Sequence, residues 1–319
     1  MTRVLLTSGS GFIATHVLNV LLKQGQDKAD KIRKAHSSFG KDKLDFSIAV
    51  EGAFDNAVKS DPPFEAVIHT AGPFHFNVTD VQKQLLDPAI LGTAGILKSI
   101  KKSAPTSFAA IMNPFKGNWP EHTYSEVDWN PMTHEQALMN AAFAYTGSKL
   151  FAERAAWDFV EKEKPNFTLA TLAPPFVFGP VTHNLTSLNA LNTSNQLING
   201  FVQGSYKDGI PPTITFLWTD VCDLALGHVL AMEKPEAGGK RFFFAAGYFT
   251  NKVMVDIIRK NFPEYNDRLP GPQDQGGDYP AEGVYKIDNS QTKQVLGIEF
   301  TPFEKTIVDT VNSLKTVGV

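Results

Sequence analysis

A short apolar run, Val4-Leu5-Leu6, passes through Thr7-Ser8-Gly9-Ser10-Gly11-Phe12-Ile13-Ala14 into Val17, Leu18, Leu21 and Leu22 at helical spacing. Few architectures open this way. A strand that turns directly into a helix through small residues begins a βαβ unit, whose strands pair in parallel beneath covering helices. Small residues let the backbone approach a pyrophosphate, and the helix N-terminus offers free N–H groups and a positive dipole end to hold it. An ordinary βα turn has the same outline. Placement between strand and helix favours the dinucleotide reading over a bare glycine match.

The rhythm continues along the chain. Residues 66–69 (Ala-Val-Ile-His) read as a buried strand, 85–100 as a long helix, 167–172 as a strand ending at Pro174-Pro175, and 215–218 as another strand. Asp220 is placed to cap a helix carrying Leu224, Val229 and Leu230. Residues 182–212, rich in Asn, Ser, Thr and Gly, break the alternation, and the stretch from Phe249 reads as a small mixed α/β cap. The expected fold is α/β: a Rossmann-type doubly wound parallel sheet with a smaller C-terminal mixed α/β substrate lobe. Residues 1–180 with 213–247 would form the dinucleotide-binding domain, and 181–212 with 248–319 the substrate-binding lobe.

Tyr145-Thr146-Gly147-Ser148-Lys149 opens a strongly helical stretch. Positions i and i+4 share a helix face, so the Lys149 ammonium can lie beside the Tyr145 phenol and favour phenolate, easing proton donation. Spacing alone leaves open a solvated lysine on a surface helix, because Tyr248 and Lys252 repeat the pattern. There the tyrosine follows a strand-like run, 241–245, and precedes Thr250, a candidate N-cap, so it lies outside the helix.

Thr106-Ser107-Phe108-Ala109-Ala110, His69-Thr70-Ala71, Pro73-Phe74 and Pro174-Pro175-Phe176-Val177-Phe178-Gly179-Pro180 complete a pattern. With the N-terminal turn and the Tyr145/Lys149 pair, they resemble the extended short-chain dehydrogenase/reductases over nearly the whole chain. The branch is similar to fungal methylglyoxal and carbonyl reductases, related to plant dihydroflavonol and cinnamoyl-CoA reductases. The resemblance implies a carbonyl reductase or alcohol dehydrogenase that uses NADP, with NAD as an alternative. In it Tyr145 protonates the carbonyl oxygen, Lys149 depresses the phenol pKa and binds the nicotinamide ribose, and Ser107 holds the substrate oxygen. Cofactor contacts are implied for Thr7, Ser8, Gly9, Ser10, Gly11, Phe12, Ile13, Ala71, Tyr145, Lys149, Pro174 and Val177. Phe74, Phe76, Phe115, Trp119 and Trp218 fall where relatives line the substrate pocket, which points to a bulky, apolar or aromatic ketone or aldehyde. Aromatic residues are also ordinary core material. Four positions depart from the family pattern: Ser8 replaces the first glycine of the turn, Leu91 an asparagine of a proton relay, Gly72 a serine and Ala173 an asparagine.

The chain is short where relatives surround the cofactor. No β-rich run separates Gln24-Gly25-Gln26 from Asp27-Lys28, Ile48-Ala49-Val50-Glu51-Gly52 lacks the acidic residue that relatives place after the third strand, and no Val/Ile-rich strand precedes Ser107. Either these segments are deleted, or the sequence joins residues that are not consecutive in the full protein. The cost of leaving sheet groups unpaired favours the second.

At 319 residues and 42% hydrophobic content the chain can bury a large core. A net charge of −3 argues against nucleic-acid binding. One cysteine, Cys222, excludes an internal disulfide and suits a reducing compartment, with cytoplasm as the default. No metal cluster, membrane span or signal peptide is expected. The expected partner is a small-molecule carbonyl, to a monomer or homodimer. Two alternatives stay open: a sugar-nucleotide epimerase or dehydratase, and a non-catalytic nucleotide-sensing protein.

Overall fold

The computed structural model describes residues 4–8, 11–23, 61, 64–70, 78–99, 104–105, 107–182, 188 and 191–316. β1 (Val4–Leu6) turns into α1 (Phe12–Lys23), and β2 (Ala66–Ile68) is followed by a π-helical turn (Gln82–Leu86) continuous with α2 (Asp87–Ser99). β3 (Ala104–Pro105) and a 3-10 turn (Phe108–Ala110) lead to β4 (Thr123–Tyr124), α3 (His134–Ala137) and the long α4 (Ala141–Glu163). Next come β5 (Ala170–Ala173), β6 (Phe176–Phe178), α5 (Thr193–Gln203), β7 (Leu217–Asp220) and α6 (Val221–Glu233). β8 (Lys240–Phe243), β9 (Gly247–Tyr248), α7 (Asn251–Asn261), β10 (Lys286–Ile287), α8 (Ser290–Leu296) and α9 (Phe303–Thr316) complete the order.

Parallel pairing dominates, as strands separated by helices require. β1 pairs with β2 in register Val4↔Ala66, and β5 lies between β3 and β8, all parallel. β6 and β7 are parallel, and β9 joins β7 antiparallel. α1 packs against α6, and α2 against α4. β2 is buried throughout, as expected for a parallel strand covered on both faces. Short caps fix the helix starts: the Asp220 carboxylate accepts from the Cys222 amide at 2.7 Å, Thr250 Oγ1 from Val253 at 3.1 Å and Asn140 Oδ1 from Phe143 at 2.8 Å.

One apolar cluster joins Phe178 and Trp218 of the sheet to Ile198 and Phe201 of α5, Met254 and Ile258 of α7, and Ile307 and Val311 of α9. β10 pairs in parallel with β4, which anchors the C-terminal segment beside the loop that follows the 3-10 turn. β3 has only two residues, and among the described residues a cavity of about 360 Å³ separates β2 from β5, lined by Ile68, Ala170, Leu172 and His228. The joins at 25–27 and 50–52, and Thr106, fall outside the described residues.

Tyr248 sits in β9 and Lys252 in the first turn of α7, after the Thr250 cap, so that second pair does not share a helix. Lys252 instead pairs with Asp256 at 2.6 Å.

Candidate active site

Tyr145 and Lys149 both lie inside α4, one turn apart. Gly147 between them lets α3 come close: a Cβ there would stand 2.6 Å from the Ala137 Cβ. Ser107 has extended backbone (φ −155°, ψ 158°) and caps the 3-10 turn, its hydroxyl accepting from the Ala109 amide at 3.3 Å. The same hydroxyl donates to the Pro174 carbonyl at 3.4 Å, which also accepts from the Phe108 amide at 2.9 Å. The double-proline corner, with Pro174 buried, thus holds the serine turn in place. Capping and site chemistry coincide here, because Ser107 also hydrogen-bonds the Tyr145 phenol.

Loss of water dominates the electrostatics of the pair in the cofactor-free chain. Burial pushes the Tyr145 phenol up to about 12, and the hydrogen bond with Ser107 only partly opposes it. The Lys149 Nζ stands over the ring, 5.4 Å from the centroid. Burial pushes Lys149 itself down to about 8. Both side chains are half-buried, and their loss of water penalises the charged form of each.

His69, at the end of β2, belongs to the same site. Its Nδ1 lies 2.6 Å from Thr7 Oγ1, and burial, followed by the charge of Lys149, pushes the imidazole down to about 4. The sequence placed His69 at the end of a buried strand; parallel strands ending side by side at Leu6 and Ile68 bring Thr7 and His69 together, and the fold brings the Lys149 charge within reach.

Thr7 stitches the two strand ends, accepting from the Thr70 amide at 3.2 Å while its carbonyl accepts from Thr70 Oγ1 at 2.9 Å. Ser8 has φ 56°, the left-handed conformation that explains a glycine in relatives. The Gly11 amide donates to the Ser8 carbonyl at 2.8 Å, and Thr15 Oγ1 to the Gly11 carbonyl at 2.9 Å. α1 then starts at Phe12 with no acidic residue in its first turn, and Ile13 packs inward. Such a terminus suits an anion. Gly9, Ser10, Ala71, Phe74 and Phe76 lie outside the described residues.

Pro174 is buried, and Val177 in β6 is half-buried, its carbonyl accepting from Asn192 at 3.3 Å. Phe115 is 45% exposed and meets Phe143 edge-on at 5.5 Å. Trp119 is half-buried and stacks on His122 at 4.1 Å, with its backbone at φ 36°. Trp218 corrects the pocket assignment: it is 3% exposed and packs on Phe303 at 4.7 Å in the apolar cluster, because β7 is covered by α9. Leu91 is 60% exposed on α2.

Among the described residues no group of three or more His, Cys, Asp or Glu side chains could hold a metal ion, and no helix is long and apolar enough to cross a membrane.

Residues 4–247 match the model of the NAD dependent epimerase/dehydratase family. The chain is 44% identical to ketoreductase azaE of Aspergillus niger over 334 residues, covering 98% of this chain and 97% of the relative. It is 34% identical to the NADPH-dependent methylglyoxal reductase GRE2 of Saccharomyces cerevisiae, covering 98% and 97%. The structure of Gre2 from Candida albicans in complex with NADPH matches with a TM-score of 0.89 at 33% identity, covering 100% of both chains. The azaE alignment spans 334 positions against a chain of 319, so part of the relative has no counterpart here.

Proposed function

The chain belongs to the NAD dependent epimerase/dehydratase family, with a Rossmann-type NAD(P)-binding fold, and we propose that it is an NADPH-dependent reductase of ketones and aldehydes. One observation carries this reading: the Ser107 hydroxyl, hydrogen-bonded to the Tyr145 phenol, with Lys149 over the ring. A carbonyl oxygen lodged against these two hydroxyls is oriented by Ser107 and receives its proton from Tyr145. A phenol held near 12 by burial is fully protonated at neutral pH, so the acid is loaded before substrate arrives. Lys149, one turn away, then stabilises the phenolate left behind.

NADPH, when bound, supplies the hydride. Thr7, Ser8, Gly11, Phe12 and Ile13 at the N-terminus of α1 would hold its pyrophosphate, and the lack of acidic residues in that first turn fits an anionic ligand. By resemblance Gly9, Ser10 and Ala71 join them, Lys149 binds the ribose, and Pro174 and Val177 border the nicotinamide. Phe115 and Trp119, with Phe74 and Phe76, favour a bulky, apolar or aromatic substrate, and residues 181–212 with 248–319 form the substrate-binding lobe. A cytosolic monomer or homodimer completes the proposal, resting on the lone Cys222 for its compartment.

The test follows nicotinamide absorbance with NADPH and with NADH against aromatic ketones, aldehydes and a diketone, beside Tyr145→Phe. The variant is expected to bind NADPH, by fluorescence titration, yet lose about 10²–10⁴-fold in turnover. An unchanged rate eliminates Tyr145 as the acid. Turnover of a sugar nucleotide with no net NADPH oxidation assigns the chain to epimerases instead.

A further inference from the structure

Glu153 follows Tyr145 and Lys149 at the same four-residue interval on α4 and is completely buried, 0% exposed. A carboxylate so placed must be matched by donors. Thr171 Oγ1 donates to it at 2.8 Å, Trp157 Nε1 at 3.3 Å, and Arg241 grips both oxygens, through Nε at 2.8 Å and Nη2 at 3.2 Å. Thr171 and Arg241 are opposite each other in the β5–β8 pair, so the sheet presents both to the helix at one register.

The guanidinium has a second function in the same geometry. Its Nη1 donates to the carbonyls of Glu126, at 2.5 Å, and Asp128, at 2.8 Å, and its Cζ lies over the Trp129 ring, 3.7 Å from the centroid. Asn130, two residues on, donates from Nδ2 to the Ala109 carbonyl at 2.8 Å and from its amide to Ala110 at 2.9 Å. Those carbonyls belong to the turn that Ser107 caps. The Asp128 carboxylate holds His122 at 2.9 Å, and His122 stacks on Trp119.

We infer that Arg241, with Glu153, is a positioning residue: one rigid fork fixes α4, which carries Tyr145 and Lys149, to the 126–130 loop, which braces Ser107 and Trp119. The inference rests on the carbonyl-reductase reading. Arginine suits the task because five donors in a planar fork can serve a carboxylate and two carbonyls at once, whereas a lysine is a point charge on a flexible stem. The distance between the Ser107 and Tyr145 hydroxyls is therefore set from a residue that touches neither.

Removing one partner strands a buried charge, so the decisive variant is the double Glu153→Met/Arg241→Met, since apolar replacement of a buried pair commonly preserves the fold. Its kcat, normalised to NADPH-binding stoichiometry, is expected to fall about ten- to a hundredfold, while the Kd for NADPH and the KM for the carbonyl stay within about twofold. Arg241→Lys keeps the charge opposite Glu153 but loses the fork, and is expected to lose about three- to tenfold in kcat with the same split. This conservative variant decides the matter if the double variant does not bind NADPH. Wild-type kcat in either NADPH-binding variant overturns the positioning role. Absence of carbonyl-dependent NADPH oxidation in the wild-type protein overturns the functional reading instead, so the two failures are separable.

Discussion

Ser8 is the residue at which sequence and conformation disagree most. At φ 56° a side chain meets the following carbonyl, at a cost of about 1–2 kcal/mol, while glycine would release more chain entropy on unfolding, worth about 0.5–1 kcal/mol. Strain relief wins, narrowly. Ser8→Gly is expected to stabilise the protein by about 0.5 kcal/mol and to tighten NADPH, measured by thermal melts and fluorescence titration; a weakened cofactor affinity would argue against this turn as the pyrophosphate site. The residue itself was legible as a departure from the glycine pattern. Its left-handed backbone was not, because φ depends on how β1 and α1 are held apart by their packing on β2 and α6.

At the scale of elements, α4 was readable because its information is local: Tyr145 and Lys149 recur at helical spacing; the Asn140 cap at its start emerged only in the structure. What α4 packs against was not readable. Gly147 has no conspicuous local reason to be glycine, yet a Cβ there would stand 2.6 Å from that of Ala137. The neighbour is fixed backbone-proximal carbon on α3, itself locked by a Thr133/Gln136 capping box. Gly147→Ala gains about 1 kcal/mol in helix propensity and loses about 1–3 kcal/mol to overpacking. Net destabilisation of about 1 kcal/mol is expected in urea unfolding, with a fall in kcat, because the displaced turn carries both Tyr145 and Lys149. A variant as stable and active as wild type would mean α3 yields freely.

Across the whole molecule, burial of ionisable groups makes stability depend on pH. His69 is 2% exposed and titrates near 4 in the folded cofactor-free chain against 6.5 when unfolded. Between those values the unfolded state binds the extra proton, so stability increases with pH. The contribution is complete above about 6.5 and is lost as pH falls toward 4, amounting to about 3 kcal/mol. His228, also depressed by burial, acts in the same direction. Denaturant unfolding across this window is expected to show the slope, and His69→Gln to flatten part of it; an unchanged slope would place the imidazole in contact with solvent.

The chain's own order of residues determined the βα opening, the alternation of strands and helices, the caps at Asp220 and Thr250, and the identity of Ser107, Tyr145 and Lys149 as a set. Each depends on neighbours within a few positions, or on a pattern that relatives share. Tertiary structure alone decided that Lys149 lies over the phenol ring, that Trp218 is core, that His69 joins the site, and that Arg241 ties α4 to the loop beneath Ser107. Those outcomes arise between residues far apart in the chain, where desolvation and packing act on groups that no local periodicity brings together.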